Sequence, residues 1–413
     1  MRIILPAGLI LVFYFALISY SSALTAFDTS TNASINVPQA DERFAFDLYS
    51  RLASSDNGNI FFSPYSLSSA LEMVYEGARG MTALEMSSVL HLNADNIARR
   101  AEVATFIQKL NAPDKPCELS VANALWAQDA FPFKKDYLSL IKNTYFAEAR
   151  NMDFVRSPEP SRQTINAWVS EKTRDRINDL LPHGSITADT SLVITNAVYF
   201  KGKWETPFKK ENTKKDAFWI TPDKTVQTDM MTLEWESFNY MENDQVQILK
   251  LPYEGNDLSM IIILPRSKDI HGIERILTQA VLSKWQEGIY SQKVDVVLPK
   301  FKFDAAYEMK NILTELGMKR AFDPGQADFS GVVDKVSGKN LLISGVYHKA
   351  WIDTNEEGTE AAAATAIVMS AMGRAVDIEP KVFRADHPFI FLIQDDSTGH
   401  ILFMGRVSDP RKE

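Results

Sequence analysis

The sequence predicts a single large domain of the mixed α+β class. Three features lead there. Apolar residues recur at helical spacing in several segments, as in Leu67, Ala70, Leu71 and Val74. The run "SLVITNAVYF", Ser191 to Phe200, is apolar at both alternating positions, as a strand covered on both faces must be. The C-terminal stretch "HPFIFLIQDDSTGHILFMGRV" reads as two strands joined around Asp395–Gly399. No repeat, low-complexity tract or linker divides the 413 residues, so one unusually large unit is expected.

From the N-terminus, Arg2, an apolar run from Ile3 to Ile18 broken only by Pro6, and the small residues of "SYSSALTA" have the layout of an export signal. Cleavage after Ala23, with Ser21 two positions earlier, or after Ala26 would release a secreted, extracellular chain. The run is short for a membrane anchor, and no later run is long enough to span a bilayer, so no membrane contact is expected after signal removal. Residues 1–23 are therefore assigned to a signal peptide, 24–40 to a polar flexible tail and 41–413 to the folded domain. Asn32 opens the one glycosylation sequon, Asn32-Ala33-Ser34, in that tail.

Phe44, Leu48 and Leu52 share one face of an opening helix, Asp41 to Leu52, which "SSDNG" stops. "NIFFSP" reads as a short strand entering a turn. The helix carrying Leu67 to Val74 ends at Gly77 and Gly80. Thr82 and Glu85 have the spacing of a capping box for the next helix. Ile165, Trp168, Val169, Ile177, Leu180 and Leu181 predict one long amphipathic helix. "SMIIILP" and "VDVVLPKFKF" read as further strands.

Composition excludes several function classes. The formal net charge of −9 disfavours nucleic acid as a general partner. Cys117 is the only cysteine, so no internal disulfide forms and an exported chain must rely on its core. The six histidines are scattered, at 91, 183, 271, 348, 387 and 400, and no HExxH, CxxC, Walker or GxSxG motif occurs. No catalytic residue, metal or cofactor is predicted, and the chain is not read as an enzyme. Asp353, Asn355, Glu357 and Gly358 imitate a calcium loop, but the twelfth position, which needs a bidentate Glu, is Ala364. Asn196 is a polar residue inside the most buried-looking strand, and a buried amide needs partners. The stretch "EEGTEAAAATAIVMSAMG", Glu356 to Gly373, is acidic at its start and then carries no charge from Ala361 to Gly373. Its alanines favour helix, yet it has neither caps nor a polar face.

The blocks "NIFFSPYSLSSAL", "GARGMTALEM", "INAWVSEKTRDRINDLL", "LVITNAVYFKGKWETPF", "EEGTEAAAATA" and "ADHPFIFLI…ILFMGRV" occur in an order and spacing that closely resemble the serpins, inhibitors of serine proteases that work by conformational trapping. The resemblance covers roughly Phe44 to Val407. It implies three β-sheets, eight to nine helices and an exposed reactive-centre loop at about 356–382. In such proteins the loop is attacked by a protease, and after acylation and bond cleavage it enters the central sheet as a new strand, dragging the enzyme with it. By this resemblance the hinge of the loop is Glu356, Glu357, Gly358, Thr359, Glu360, Ala361, Ala362, Ala363, Ala364 and Thr365. Ser63, Ser66, Asn196 and His348 match a shutter cluster beneath the sheet opening. Trp204, Lys300 and Glu356 match the breach, where insertion begins.

The hinge suits insertion. Residues that would face the core, Thr359, Ala361, Ala363, Thr365, Ile367, Met369 and Ala371, are uncharged, and those up to Thr365 are small. No proline interrupts them. At a net ~1 kcal/mol per ladder bond, a full strand gains on the order of 10 kcal/mol, so the uncleaved state must be metastable. Counting seventeen residues from Glu356 places the scissile bond at Met372–Gly373, which suits elastase-, chymotrypsin- or subtilisin-like enzymes; Arg374–Ala375 is the alternative and would suit trypsin-like ones. The partner implied is a serine protease held as a covalent acyl-enzyme by a monomeric inhibitor. Arg99, Arg100, Lys109 and Lys115 are too sparse for a heparin stripe, diluted by Asp95, Glu102 and Asp114. A non-inhibitory carrier, chaperone or storage protein of the same family, and an inhibitor of papain-like cysteine proteases, are the competing readings.

Overall fold

The computed structural model describes residues 37–93, 95–112, 115–334, 340–360 and 379–412. Among these are nine α-helices: α1 (Val37–Ser55), α2 (Pro64–Tyr75), α3 (Gly80–Val89), α4 (Asn96–Leu110), α5 (Lys135–Tyr145), α6 (Pro158–Lys172), α7 (His271–Glu274), α8 (Gln279–Gln286) and α9 (Lys310–Leu316). The strands are β1 (Ile60–Phe62), β2 (Glu118–Gln128), β3 (Glu148–Met152), β4 (Leu192–Lys203), β5 (Lys214–Thr221), β6 (Lys224–Glu242), β7 (Val246–Pro252) and β8 (Leu258–Pro265), followed by β9 (Tyr290–Pro299), β10 (Phe301–Glu308), β11 (Ile343–Asn355), β12 (Gly358–Thr359), β13 (Lys381–Arg384), β14 (Phe389–Asp395) and β15 (Ile401–Val407).

They form two hydrogen-bonded sheets rather than three separate ones. One runs β10-β11-β12-β4-β2-β3; the other runs β1-β15-β14-β8-β7-β6-β9-β13, with β5 on β6. The second is continuous because the 19-residue β6 serves two neighbourhoods. It pairs with β5 over Lys224–Met230 and with β7 over Asn239–Glu242, bending at a bulge between Leu233 and Glu236. "VDVVLPKFKF" likewise divides between the sheets: β9 joins the larger one and β10 the six-stranded one. Lys300 lies at that corner.

β4 is buried on both faces, as its composition predicts. Leu192, Ile194, Val198 and Phe200 enter the main core. Val193 and Ala197 enter a second cluster built around Trp126, Ile165, Trp168 and Val169. Asn196 has the parity of the first set, so it faces α2. The β14–β15 hairpin closes around Asp395 as expected. Ser63 caps α2, accepting from Ser66 N at 3.1 Å, and Pro64 supplies the fixed φ of a first helical turn.

Three further expectations are corrected. The folded part begins before residue 41: α1 starts at Val37, and Val37 and Ala40 are buried, so 37–40 are not tail. Thr82 and Glu85 do not form a capping box, because α3 already begins at Gly80 behind Arg79. Their side chains reach a distant segment instead. Thr82 Oγ1 accepts from Asp328 N at 3.0 Å, and Glu85 Oε2 accepts from Lys319 N at 2.8 Å and Arg320 N at 2.7 Å. The predicted long helix ends at Lys172. Arg174 and Asp175 adopt left-handed φ of 51° and 62°, and Ile177, Leu180 and Leu181 come from irregular chain that folds back onto the same cluster. The spacing was helical, but the tertiary contact that buries these residues does not need a helix.

The Glu85 clasp can be checked directly. Glu85→Ala takes the side-chain acceptor from Arg320 N, while Lys319 N keeps the Gly317 carbonyl at 3.0 Å; the loss should cost about 1 kcal/mol and lower the thermal midpoint by a few degrees. An unchanged melting curve would show that the clasp is idle.

Candidate functional site

The four residues matched to the shutter converge. His348 on β11 and Asn196 on β4 are paired across a parallel ladder. Ser63 N donates to His348 Nε2 at 3.0 Å, so Nε2 is the unprotonated nitrogen and Nδ1–H donates to Asn196 Oδ1. The Asn196 amide then donates to Ser66 Oγ at 2.6 Å and to Asn123 Oδ1. Ser63 Oγ donates to the Leu402 carbonyl at 2.6 Å. The network thus ties α2, β2, β4, β11 and β15 together. Burial drives the His348 pKa down to about 3, with its bond to Asn196 opposing, so the ring is neutral. Asn123 and the stacked ring of Tyr307, 6.2 Å away, belong to the same site and carried no local sequence signal.

The breach residues also meet. Trp204 stacks on Tyr253 at 4.7 Å, and its indole N–H donates to the Asn355 carbonyl at 3.0 Å. Lys300 Nζ lies 2.9 Å from Glu356 Oε2, and Thr213 Oγ1 donates to Glu356 Oε1 at 2.9 Å. Burial alone would raise the Glu356 carboxyl. The bond from Lys300, that from its own backbone and that from Thr213 outweigh burial, and the group lies below the usual range. Main-chain bonds anchor the same segment: Trp204 N donates to Glu357 O at 2.9 Å and Phe208 N to Glu356 O at 2.8 Å.

The start of the hinge is already a strand. β4 and β11 pair in parallel from Leu192–Ile343 to Tyr199–Trp351. Beyond that point β12 stands between them, antiparallel to both, with Gly358 opposite Lys203 and Asn355, and Thr359 opposite Gly202 and Thr354. Gly358 is required there: its φ is 151°, and a Cβ would lie 2.1 Å from Gly202 O. Thr359 is fully buried and its hydroxyl bonds Tyr253 at 2.8 Å. Glu357 pairs with Lys210 at 2.7 Å, and Glu360 pairs with Arg176. The calcium-like residues do not converge: Asn355 Oδ1 accepts from Glu357 N, and Asp353 faces Lys302. Ala361, Ala362, Ala363, Ala364 and Thr365, both candidate bonds (Met372–Gly373 and Arg374–Ala375), Asn32 and the signal segment lie outside the described residues.

The four basic residues weighed for a polyanion are each engaged. Arg99 is 1% exposed and lies 2.5 Å from Glu72 and 2.6 Å from Glu76. Arg100 pairs with Glu76, Lys109 with Asp395 and Lys115 with Asp257.

The profile of the family described as "Serpin (serine protease inhibitor)" matches residues 39–410. An uncharacterized serpin-like protein of Methanosarcina acetivorans is 43% identical over 92% of this chain and 89% of its own. The leukocyte elastase inhibitor of Bos taurus is 40% identical over 90% of this chain and 98% of its own. Among solved structures, a highly specific serpin of the insect Tenebrio molitor is similar, with a TM-score of 0.81 and 32% identity over 92% of this chain and 99% of that one.

The neutral His348 makes stability depend on pH in a defined direction. Its folded pKa lies below the ordinary 6.5, so below that value the unfolded chain binds a proton that the folded chain refuses until about pH 3. Stability should therefore fall as pH drops from 6.5 toward 3. His348→Gln should flatten part of that decline in denaturant midpoints measured from pH 7 to 4. Parallel curves for the two proteins would mean His348 does not contribute.

Proposed function

The chain belongs to the serpin family, and from that premise we propose that it is a secreted suicide inhibitor of serine endopeptidases. The observation that carries the reading is β12. Two hinge residues already occupy the place between β4 and β11 that an inserting strand would extend, with Thr359 facing inward. Zipping the loop further replaces one parallel ladder by two antiparallel ones, which are somewhat more stable per residue. The uncharged, small residues that follow Thr359 at alternate positions meet the demand that a packed interior makes.

In this scheme the protease serine attacks the carbonyl of the scissile residue. Its oxygen forms an ester to that residue while the peptide bond to the next residue breaks, and the new amine leaves with the C-terminal segment. Insertion then carries the ester-linked enzyme away before water attacks. Met372–Gly373 is the favoured bond and Arg374–Ala375 the alternative. The relative named as a leukocyte elastase inhibitor supports an elastase-like target; chymotrypsin- and subtilisin-like enzymes fit the same apolar residue. The inhibitor acts as a monomer, and export follows from the N-terminal segment.

Mixing the mature chain with elastase, chymotrypsin, subtilisin, trypsin and papain should give an SDS-stable complex with at least one serine protease. The mass of the released C-terminal peptide identifies the bond. Cleavage by every enzyme without any complex, and without a rise in the melting temperature of the cleaved chain, would leave a carrier or storage role as the better reading. Thr359→Arg should convert inhibitor to substrate, because an arginine at the buried β12 position, before or after cleavage, would place an unpaired guanidinium against Tyr253 and disfavour the hinge's place in the sheet. Complex formation at the wild-type level by that variant would refute insertion at this register.

A further inference from the structure

Glu360 directly follows β12 and is the last described residue of the hinge. Its φ is +48°, while its N–H still donates to the Asp353 carbonyl at 2.7 Å. Its side chain lies opposite that of Thr359 and is only 11% exposed. Oε1 pairs with Arg176, whereas Oε2 is buried with no hydrogen-bond partner among the described residues. Burial raises this carboxyl. Arg176 and then Lys201 work against the rise, and Asp353 and Glu118 add to it.

Arg176 is held by the segment that links α6 to β4. Left-handed backbone at Arg174, Asp175 and Asp179 folds this segment back on itself. Ser170 Oγ donates to Asp175 at 2.7 Å, and Ile177 N donates to Thr173 Oγ1 at 3.2 Å. Arg174 pairs with Glu118 of β2 at 2.7 Å, and Lys349 of β11 donates to Asn178 O at 3.4 Å. The segment therefore spans β4 and is tied on both sides of it. The Arg176 guanidinium also lies 5.6 Å from the Trp351 ring, which touches Tyr199 at the last closed pair of the β4–β11 ladder. One side chain thus contacts both Glu360 of the hinge and the last closed rung of the β4–β11 ladder.

We propose that Arg176 is a positioning residue for the hinge. It holds Glu360 at the mouth of the β4–β11 seam, keeping the hinge partly inserted before cleavage and letting insertion outrun deacylation afterwards. The second half rests on the inhibitory reading above; the first does not. Without Arg176 a mostly buried carboxylate has no directly paired cation, and the cheapest response is for the hinge to withdraw until Glu360 reaches water. Neutralising Glu360 as well removes the reason to withdraw.

The test uses the full chain with Arg176→Gln, Glu360→Gln, the double variant and the swap Arg176→Glu/Glu360→Arg. Amide exchange of the segment 354–360 should speed up about ten-fold or more in Arg176→Gln, and return to within about two-fold of wild type in the double variant. The swap should restore slow exchange. For a protease that forms the covalent complex, the moles of inhibitor consumed per mole of enzyme should rise several-fold in Arg176→Gln and fall again in the double variant. Wild-type exchange in Arg176→Gln would overturn the proposal, as would a double variant that exchanges as fast as the single. Should no protease be trapped while exchange follows this pattern, the positioning role stands and the inhibitory reading fails.

Discussion

Much of the molecule is organised around one parallel ladder. β4 and β11 run side by side from Leu192 to Tyr199 and from Ile343 to Trp351, and only at their upper ends are they parted by Gly358 and Thr359. The sheet has two parallel pairs among the described residues, β4–β11 and the shorter β2–β3 at its edge, and a strand of opposite direction placed within a parallel pair makes antiparallel ladders on both sides. Below the hinge β4 and β11 bond each other directly. In the two-residue β12, glycine sits where backbones nearly touch and is followed by a small hydroxyl facing Tyr253.

Charge is arranged to respect that ladder. Inside it, polar groups are neutral and fully paired: His348, Asn196, Ser63, Ser66 and Asn123 share a chain of hydrogen bonds, and the imidazole stays uncharged because burial outweighs its bond to Asn196. At its mouth, charges appear in pairs: Glu356 with Lys300, Glu357 with Lys210, Glu360 with Arg176. Neutral groups can part and re-pair at the cost of hydrogen bonds alone, whereas charges left unpaired in the same place would cost far more. The segment from Thr173 to Asp179, packed over β4, carries the last of these pairs.

The helices and strands whose apolar residues meet the core continuously were legible. β4, the β14–β15 hairpin and α2 follow from composition and periodicity, since a strand buried on both faces and a helix buried over most of its length leave little choice of residue. What failed were signals with two physical origins. Thr82 and Glu85 had cap spacing, yet their oxygens serve amides of residues 319, 320 and 328, far along the chain. Ile177, Leu180 and Leu181 had helical spacing, yet two left-handed residues break the helix before them. Tyr253, Thr213 and Asn123 complete the site but lie on other elements, so nothing near the matched motifs marks them.

By itself the sequence determined the class of fold, the family resemblance, and the uncharged alternation after Thr359. These depend on residue type at short spacing, which a linear chain displays. Only the tertiary structure decided that the first hinge residues already stand between β4 and β11, that Asn123 joins His348 and Asn196, and that Arg176 faces Glu360. Those contacts join residues separated by tens to hundreds of positions. Their partners are chosen by which strands pair and in what register, and that choice is made by the whole core at once.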